Sequence, residues 1–423
     1  MSKRCLFVIR DFPRPVLSAA AVLRAEEALS GTHTSGILVA EGLARRGHEI
    51  GIYIMHGQVL VESAVRGFDT LQAAADWIGS GTVIWLSYGD DSILDRLSAV
   101  DLKPVVWTHI AAPWSDRAWL ESGRIAGIVT VSDSARLPML RSAKHECVGR
   151  IYNPLPPFFA SAPAKRADRF ERRLVVYAGA AGTSKGLHRL LEMWRFAHQT
   201  DPCAKLVLAG TGQLYGNERQ LGPLGIAAPD FEARYVEPIT AQFGSLKNAG
   251  IEAVGLLKPH ELRHLYASSS VGVVNMNWHE YTETFCCAGV EMLATGLPVF
   301  SVARGALPET IGRSGGAVLT RNEPPALAAR EFNALLADPA GLAKRGAEGQ
   351  QFVRSAYDYE RIIDTWAQLL QHGTSIEALC GRWRGPKTLR YIAESMAGKL
   401  HAPWLLDVPT RSMRLLRRIA GRT

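Results

Sequence analysis

Two carboxylates, Glu283 and Glu291, stand seven residues apart in the run Tyr-Thr-Glu-Thr-Phe-Cys-Cys-Ala-Gly-Val-Glu-Met-Leu-Ala-Thr-Gly-Leu-Pro at 281–298. The residues around them spell a helix. Thr282 or Thr284 suits an N-cap, Gly296 and Pro298 supply a stop, and Phe285, Val290, Met292 and Leu293 offer apolar faces. At ~1.5 Å of rise per residue, such a helix sets the two acids roughly 12 Å apart, about the length of a nucleotide sugar, with an anion-attracting helix start beside Glu283. On this reading Glu283 accepts hydrogen bonds from sugar hydroxyls, the amides around Cys286 to Ala288 hold a phosphate, and Glu291 accepts from ribose hydroxyls. An ordinary amphipathic helix with two solvated acids fits the spacing as well.

Other chemistry-bearing residues follow strands. Tyr177 to Gly186 reads strand, small-residue turn and helix start, which puts Lys185 where a backbone can approach a diphosphate without side-chain obstruction. A surface lysine after a loop is the plain alternative. Gly210 closes a strand at a Gly-Thr-Gly turn, a weak signal by itself. His109 directly follows the apolar run Val105 to Thr108, where a cleft-facing group belongs, although a lone histidine is usually a packed loop residue.

These segments resemble retaining glycosyltransferases of the two-domain GT-B type, family 4. The Glu283 to Glu291 stretch, with the strand at 297–302 after it, resembles the family's donor signature. The loop Ala303-Arg304-Gly305-Ala306-Leu307-Pro308-Glu309 is similar to its Gly-Gly-x-x-Glu loop, with Arg304 in place of the first glycine. Gly179, Lys185 and Gly186 match a Gly-Arg-x-x-x-x-Lys-Gly run whose two basic residues hold the donor diphosphate. Ala180 occupies the arginine position, a deficit that Arg304 or another cation would have to make up. Gly31 matches a first-domain glycine loop near donor phosphate and acceptor. The resemblance implies Glu283, Lys185 and His109 as catalytic residues, His109 orienting sugar hydroxyls. It implies donor contacts at Glu291, Gly31, Gly179, Gly210, Thr284, Phe285, Cys286 and Cys287.

Positioning such a set requires two sheets. Apolar runs alternate with helical patterns, which predicts βα units and parallel strands at 4–10, 50–55, 83–86, 105–108, 128–131, 174–178, 205–209 and 271–275. The expected fold is α/β: GT-B, two doubly wound Rossmann-like domains facing across a cleft. The Pro-rich, charged stretch at 153–172 is the linker candidate. It separates an acceptor-side domain at 1–160 from a nucleotide-sugar domain at 161–370, and a basic extension at 371–423 follows, expected to pack back on the first domain.

The chain has 423 residues, 47% hydrophobic and 21% charged, as a folded two-domain protein would. Its six cysteines show neither a Cys-x-x-Cys pair nor metal-ligand spacing, so no metal, cofactor or disulfide framework is expected. Cys286 and Cys287 fall at a helix start, where a thiol can acidify, but small packing residues are the simpler reading. No run approaches the ~20 apolar residues of a membrane span, so cytoplasmic residence is expected. Ten Lys and Arg against two acids from Arg382 to Thr423 carry the whole net charge of +8. With Trp404, Leu405, Leu406, Met413, Leu415 and Leu416 among them, these cations suit either an anionic membrane surface or a solvated segment. Nucleic acid is not expected. The implied activity moves a sugar from a nucleotide sugar to a glycan or lipid-linked acceptor in polysaccharide biosynthesis. A GT-B epimerase or phosphorylase and a non-catalytic membrane-associated scaffold are the alternatives.

Overall fold

A computed structural model describes residues 3–11, 15–56, 58–87, 91–110, 113–142, 144–161, 168–214, 220–278 and 283–372, all within the unit Met1–Cys380. The basic segment that sequence analysis singles out at 382–422 lies outside the described residues. Among those described, no helix is long and apolar enough to cross a membrane.

The strands in chain order are β1 (Arg4–Ile9), β2 (Val16–Ser18), β3 (Glu49–Ile54), β4 (Val59–Val61), β5 (Arg66–Phe68), β6 (Thr82–Ser87), β7 (Val105–Thr108), β8 (Gly127–Thr130) and β9 (Val148–Arg150) in the first half. β10 (Leu174–Ala178), β11 (Lys205–Ala209), β12 (Ile251–Gly255), β13 (Val271–Val273), β14 (Val299–Val302) and β15 (Ala317–Thr320) form the second. Runs such as Cys5 to Ile9 and Val175 to Tyr177 are almost wholly buried, because helices cover both faces of a parallel sheet. The first sheet runs β5-β3-β1-β6-β7-β8-β9 and the second β12-β11-β10-β13-β14-β15, with parallel pairing throughout. Strand order reverses between β1 and β6 and between β10 and β13. At such switch points adjacent crossovers diverge and leave a crevice beyond the strands' carboxyl ends. The fold is GT-B, two doubly wound domains facing across a cleft.

Two expected strands are shorter than their apolar runs imply. The one expected at 271–275 ends at Val273, which frees Asn275 for a loop, and the one expected at 297–302 begins at Val299. The three-residue strands β2, β4, β5 and β9 carried no alternating signal long enough to read.

The helix Tyr359–His372 returns to the first domain. Arg46 reaches Glu360 at 2.6 Å and Asp364 at 2.7 Å, and the Tyr359 hydroxyl donates to the Leu38 carbonyl at 3.2 Å. Trp366 is fully buried against Trp107 of β7, ring centroids 4.6 Å apart. Trp366→Ala should therefore cost about 3–5 kcal/mol of stability. Urea unfolding of the purified variant checks this, and a loss below about 1 kcal/mol would show that the helix is not fastened there.

Candidate active site in the cleft between the two sheets

The carboxyl ends of the parallel strands deliver their next residues to one cleft of about 990 Å³: Arg10 after β1, His109 after β7, Gly179 after β10, Gly210 after β11 and Asn275 beyond β13. Two helix starts complete it, Gly31 of Gly31–Arg45 and Cys287 of Cys287–Ala294. Every site residue expected from sequence lines this cleft: Glu283, Lys185, His109, Glu291, Gly31, Gly179, Gly210, Thr284, Phe285, Cys286 and Cys287.

Glu283 is the most heavily held of them. Its Oε2 accepts from Lys185 Nζ at 2.9 Å and from Asn275 Nδ2 at 3.0 Å, and its Oε1 from the Cys286 N–H at 2.9 Å. Burial alone would push this carboxyl up. The Lys185 charge, the Asn275 amide and the Cys286 N–H outweigh burial and leave it below its ordinary value, so Glu283 is a buried anion. Asn275 is itself fixed, its Oδ1 accepting from the Asn277 N–H at 3.0 Å.

The expected N-caps are corrected. The helix begins at Cys287 and its N-cap is Cys286, at φ 70°. Thr282 lies outside the described residues, and the Thr284 hydroxyl donates instead to the His109 carbonyl at 2.6 Å. Glu283 therefore sits in the loop before the helix, and the 12 Å helical rise between the two acids does not apply. A left-handed cysteine costs roughly 1–2 kcal/mol, and the Glu283 carboxylate on its own N–H offsets part of that. The thiols are not acidified. Burial pushes Cys287 up to about 12, helped by Glu291 and Glu283, and burial beside Glu283 raises Cys286 as well.

Two close approaches explain glycines. At Gly210, φ 131°, a Cβ would lie 2.0 Å from the Gly179 carbonyl oxygen. At Gly31 a Cβ would lie 2.6 Å from Cys287 Sγ, so the two helix starts touch across the cleft. Each start presents N–H groups and partial positive charge, and their meeting makes one anion-attracting region.

His109 is buried, its ring packed at 4.7 Å on Trp107, and its Nε2 has no hydrogen-bond partner among the described residues. Burial, reinforced by His33, pushes its imidazole down to about 3, so it is neutral. Glu291 is the opposite of Glu283. Partly exposed and with no cation beside it among the described residues, it is pushed by burial up to about 7. Lys185 is the one Lys or Arg among the described residues on the second-domain wall. Arg304 is not among the lining residues and Ala180 is buried, whereas Arg10 lines the facing wall.

Sequence reasoning missed Asn275, Arg10 and the interdomain reach of Thr284. A polar residue just past a buried parallel strand was the available signal for the first two; nothing local could announce the third.

Glu291 yields a signed expectation. A carboxyl whose folded value lies above its unfolded one binds its proton more tightly when folded, so stability falls as pH rises from about 4.5 to 7 and stays lost above. Glu291→Gln should be nearly neutral at pH 4 and stabilising at pH 8 by about 1–3 kcal/mol, the lower part applying because the carboxyl retains access to the cleft. Thermal unfolding at both pH values tests it, and equal effects would show that Glu291 ionises normally.

Comparison with known proteins agrees with the fold. Residues 161–352 match the family model of glycosyl transferases group 1. Spore coat protein SA of Bacillus subtilis (strain 168) is 23% identical over 255 residues, covering 57% of this chain and 63% of that protein, so the match spans less than two thirds of the relative. Among solved structures, sucrose-phosphate synthase of Thermosynechococcus elongatus superposes with a TM-score of 0.67 at 17% identity, over 87% of this chain and 98% of that one. HepE of Anabaena, in complex with UDP and glucose, gives 0.63 at 14% identity, over 88% and 100%. Through residues 161–352 the chain is similar to the glycosyl transferases group 1 family, and its fold is GT-B.

Proposed function

We propose that the protein is a retaining glycosyltransferase that moves a hexose-like residue from a nucleotide sugar to a hydroxyl of a glycan or lipid-linked acceptor. One observation carries the reading: a buried, charged Glu283 beside Lys185, in a cleft where two helix starts meet. Glu283 is restrained by Asn275 and the Cys286 N–H even without Lys185, so it can accept from sugar hydroxyls while Lys185 turns to the phosphates. As the bond from sugar to diphosphate breaks, negative charge grows on the leaving oxygen. Lys185, once turned to the phosphates, and the amides at Cys287 and Ala288 would stabilise it.

The scheme invokes no metal. His109, neutral and hydrogen-bond-ready at Nε2, would orient a hydroxyl, and Glu291 would accept from the ribose. Attack on the same face, assisted by the leaving phosphate, would retain the anomeric configuration. HepE, which holds UDP and glucose on the same fold, is consistent with such a donor. As part of the same reading, the cations at 382–422 attract an anionic membrane that presents lipid-linked acceptors on the cytoplasmic side.

A panel of nucleotide sugars in thermal unfolding tests the donor. A ligand at ~100 times its Kd adds about 2.7 kcal/mol and raises Tm by a few degrees. Free nucleoside diphosphate should then appear only when an acceptor is supplied; release without acceptor would favour the epimerase or phosphorylase reading. Glu283→Gln should lower kcat by about 10²–10³-fold, the scale of one lost charge-stabilising contact. Product with inverted anomeric configuration would remove the retaining assignment.

A further inference from the structure

The loop that follows β14 joins the candidate sugar-binding carboxylate to the opposite domain. At its near end the Ala306 N–H donates to the Glu283 carbonyl at 3.0 Å, and a Cβ at Gly305 would lie 2.5 Å from the same oxygen, so the loop runs flush beneath Glu283. At its far end Glu309 is 8% exposed, and first-domain donors hold both of its carboxylate oxygens. Oε1 accepts from the Asp133 N–H and the Tyr152 hydroxyl, each at 2.8 Å, and Oε2 from the Ser134 N–H at 2.8 Å. Arg150 lies beside this set, paired with Asp133 at 3.2 Å and 3.8 Å above the Tyr152 ring. Beside Glu283 itself, the Thr284 hydroxyl bonds the His109 carbonyl across the cleft.

We propose that Glu309 is a positioning residue. Its carboxylate shuts the cleft by capping the first-domain helix Asp133–Arg136, and through Ala306 the same loop sets Glu283 where the transferred sugar must lie. Only a carboxylate can accept from both N–H groups and the phenol at once, and the amide of glutamine would turn an N–H toward one of these donors. A closed cleft places Glu283, His109 and both helix starts around one ligand; an open one leaves the second domain able to bind nucleotide but not to react.

The kinetic arm of the test rests on the transferase reading, and the structural arm does not. Glu309→Gln should enlarge the radius of gyration of the ligand-free protein in small-angle scattering. It should lower kcat on the order of 10²-fold, as an ångström-scale misplacement does, while nucleoside diphosphate binds within about threefold of wild type. Asp133→Pro supplies an independent variant. The residue stands first in its helix after an extended Ser132, where proline fits; it deletes the N–H together with the carboxylate that pairs with Arg150, and Asp133→Ala separates the two losses. It should reproduce both effects, whereas Asp133→Ala, which keeps the N–H and loses the Arg150 pair, should not. Unchanged scattering and kcat in Glu309→Gln, or equal behaviour of Asp133→Pro and Asp133→Ala, would overturn the proposal. If wild type turns over no nucleotide sugar, the transferase reading falls and the scattering comparison alone decides the role of Glu309.

Discussion

The contact between Lys185 and Glu283 organises the cleft. Two opposite charges, with side chains 22% and 9% exposed, have left most of their water behind, and their attraction alone does not repay that loss. The amide of Asn275 and the N–H of Cys286 supply what water no longer does. Each arises from a different piece of backbone: Lys185 before a helix capped by a left-handed Gly186, Asn275 beyond a strand that ends early, Cys286 at a strained helix start. The carboxylate thus ties three segments of the second domain at one point, and its backbone carbonyl anchors the loop carrying Glu309.

The two acids that first draw the eye end in opposite states. Glu283 has a cation and two further donors and remains charged; Glu291, eight residues on, has neither among the described residues and is pushed by burial up to about 7. Divergent environments of this kind separate the roles of chemically identical groups. A hydroxyl-rich ligand would meet a fixed acceptor at one end of the cleft and a proton-adjustable one at the other.

Much of the architecture was legible because buried parallel strands are continuous apolar runs. Val105–Thr108, Leu174–Ala178 and Lys205–Ala209 were read residue for residue; the parallel-sheet rule pointed to His109, while Gly179 and Gly210 came from the family resemblance, and all three line the cleft. The helix start was misread because Thr284 satisfies local capping preference while its hydroxyl is taken by a carbonyl 175 residues away. A positive φ at Cys286 has no signature in a cysteine. Glu309 stood in a recognisable loop, yet its partners at Asp133 and Ser134 lie 176 and 175 positions earlier, beyond any periodicity or spacing argument.

The return of the Tyr359–His372 helix to the first domain bears on how the polypeptide matures. Trp107 belongs to a strand complete early in synthesis, yet the indole that covers it, Trp366, leaves the ribosome some 260 residues later, about 13–50 s at ordinary elongation rates. The indole that covers Trp107 is thus among the later parts of the chain to be made, and this face of the first domain is completed only once that helix has emerged.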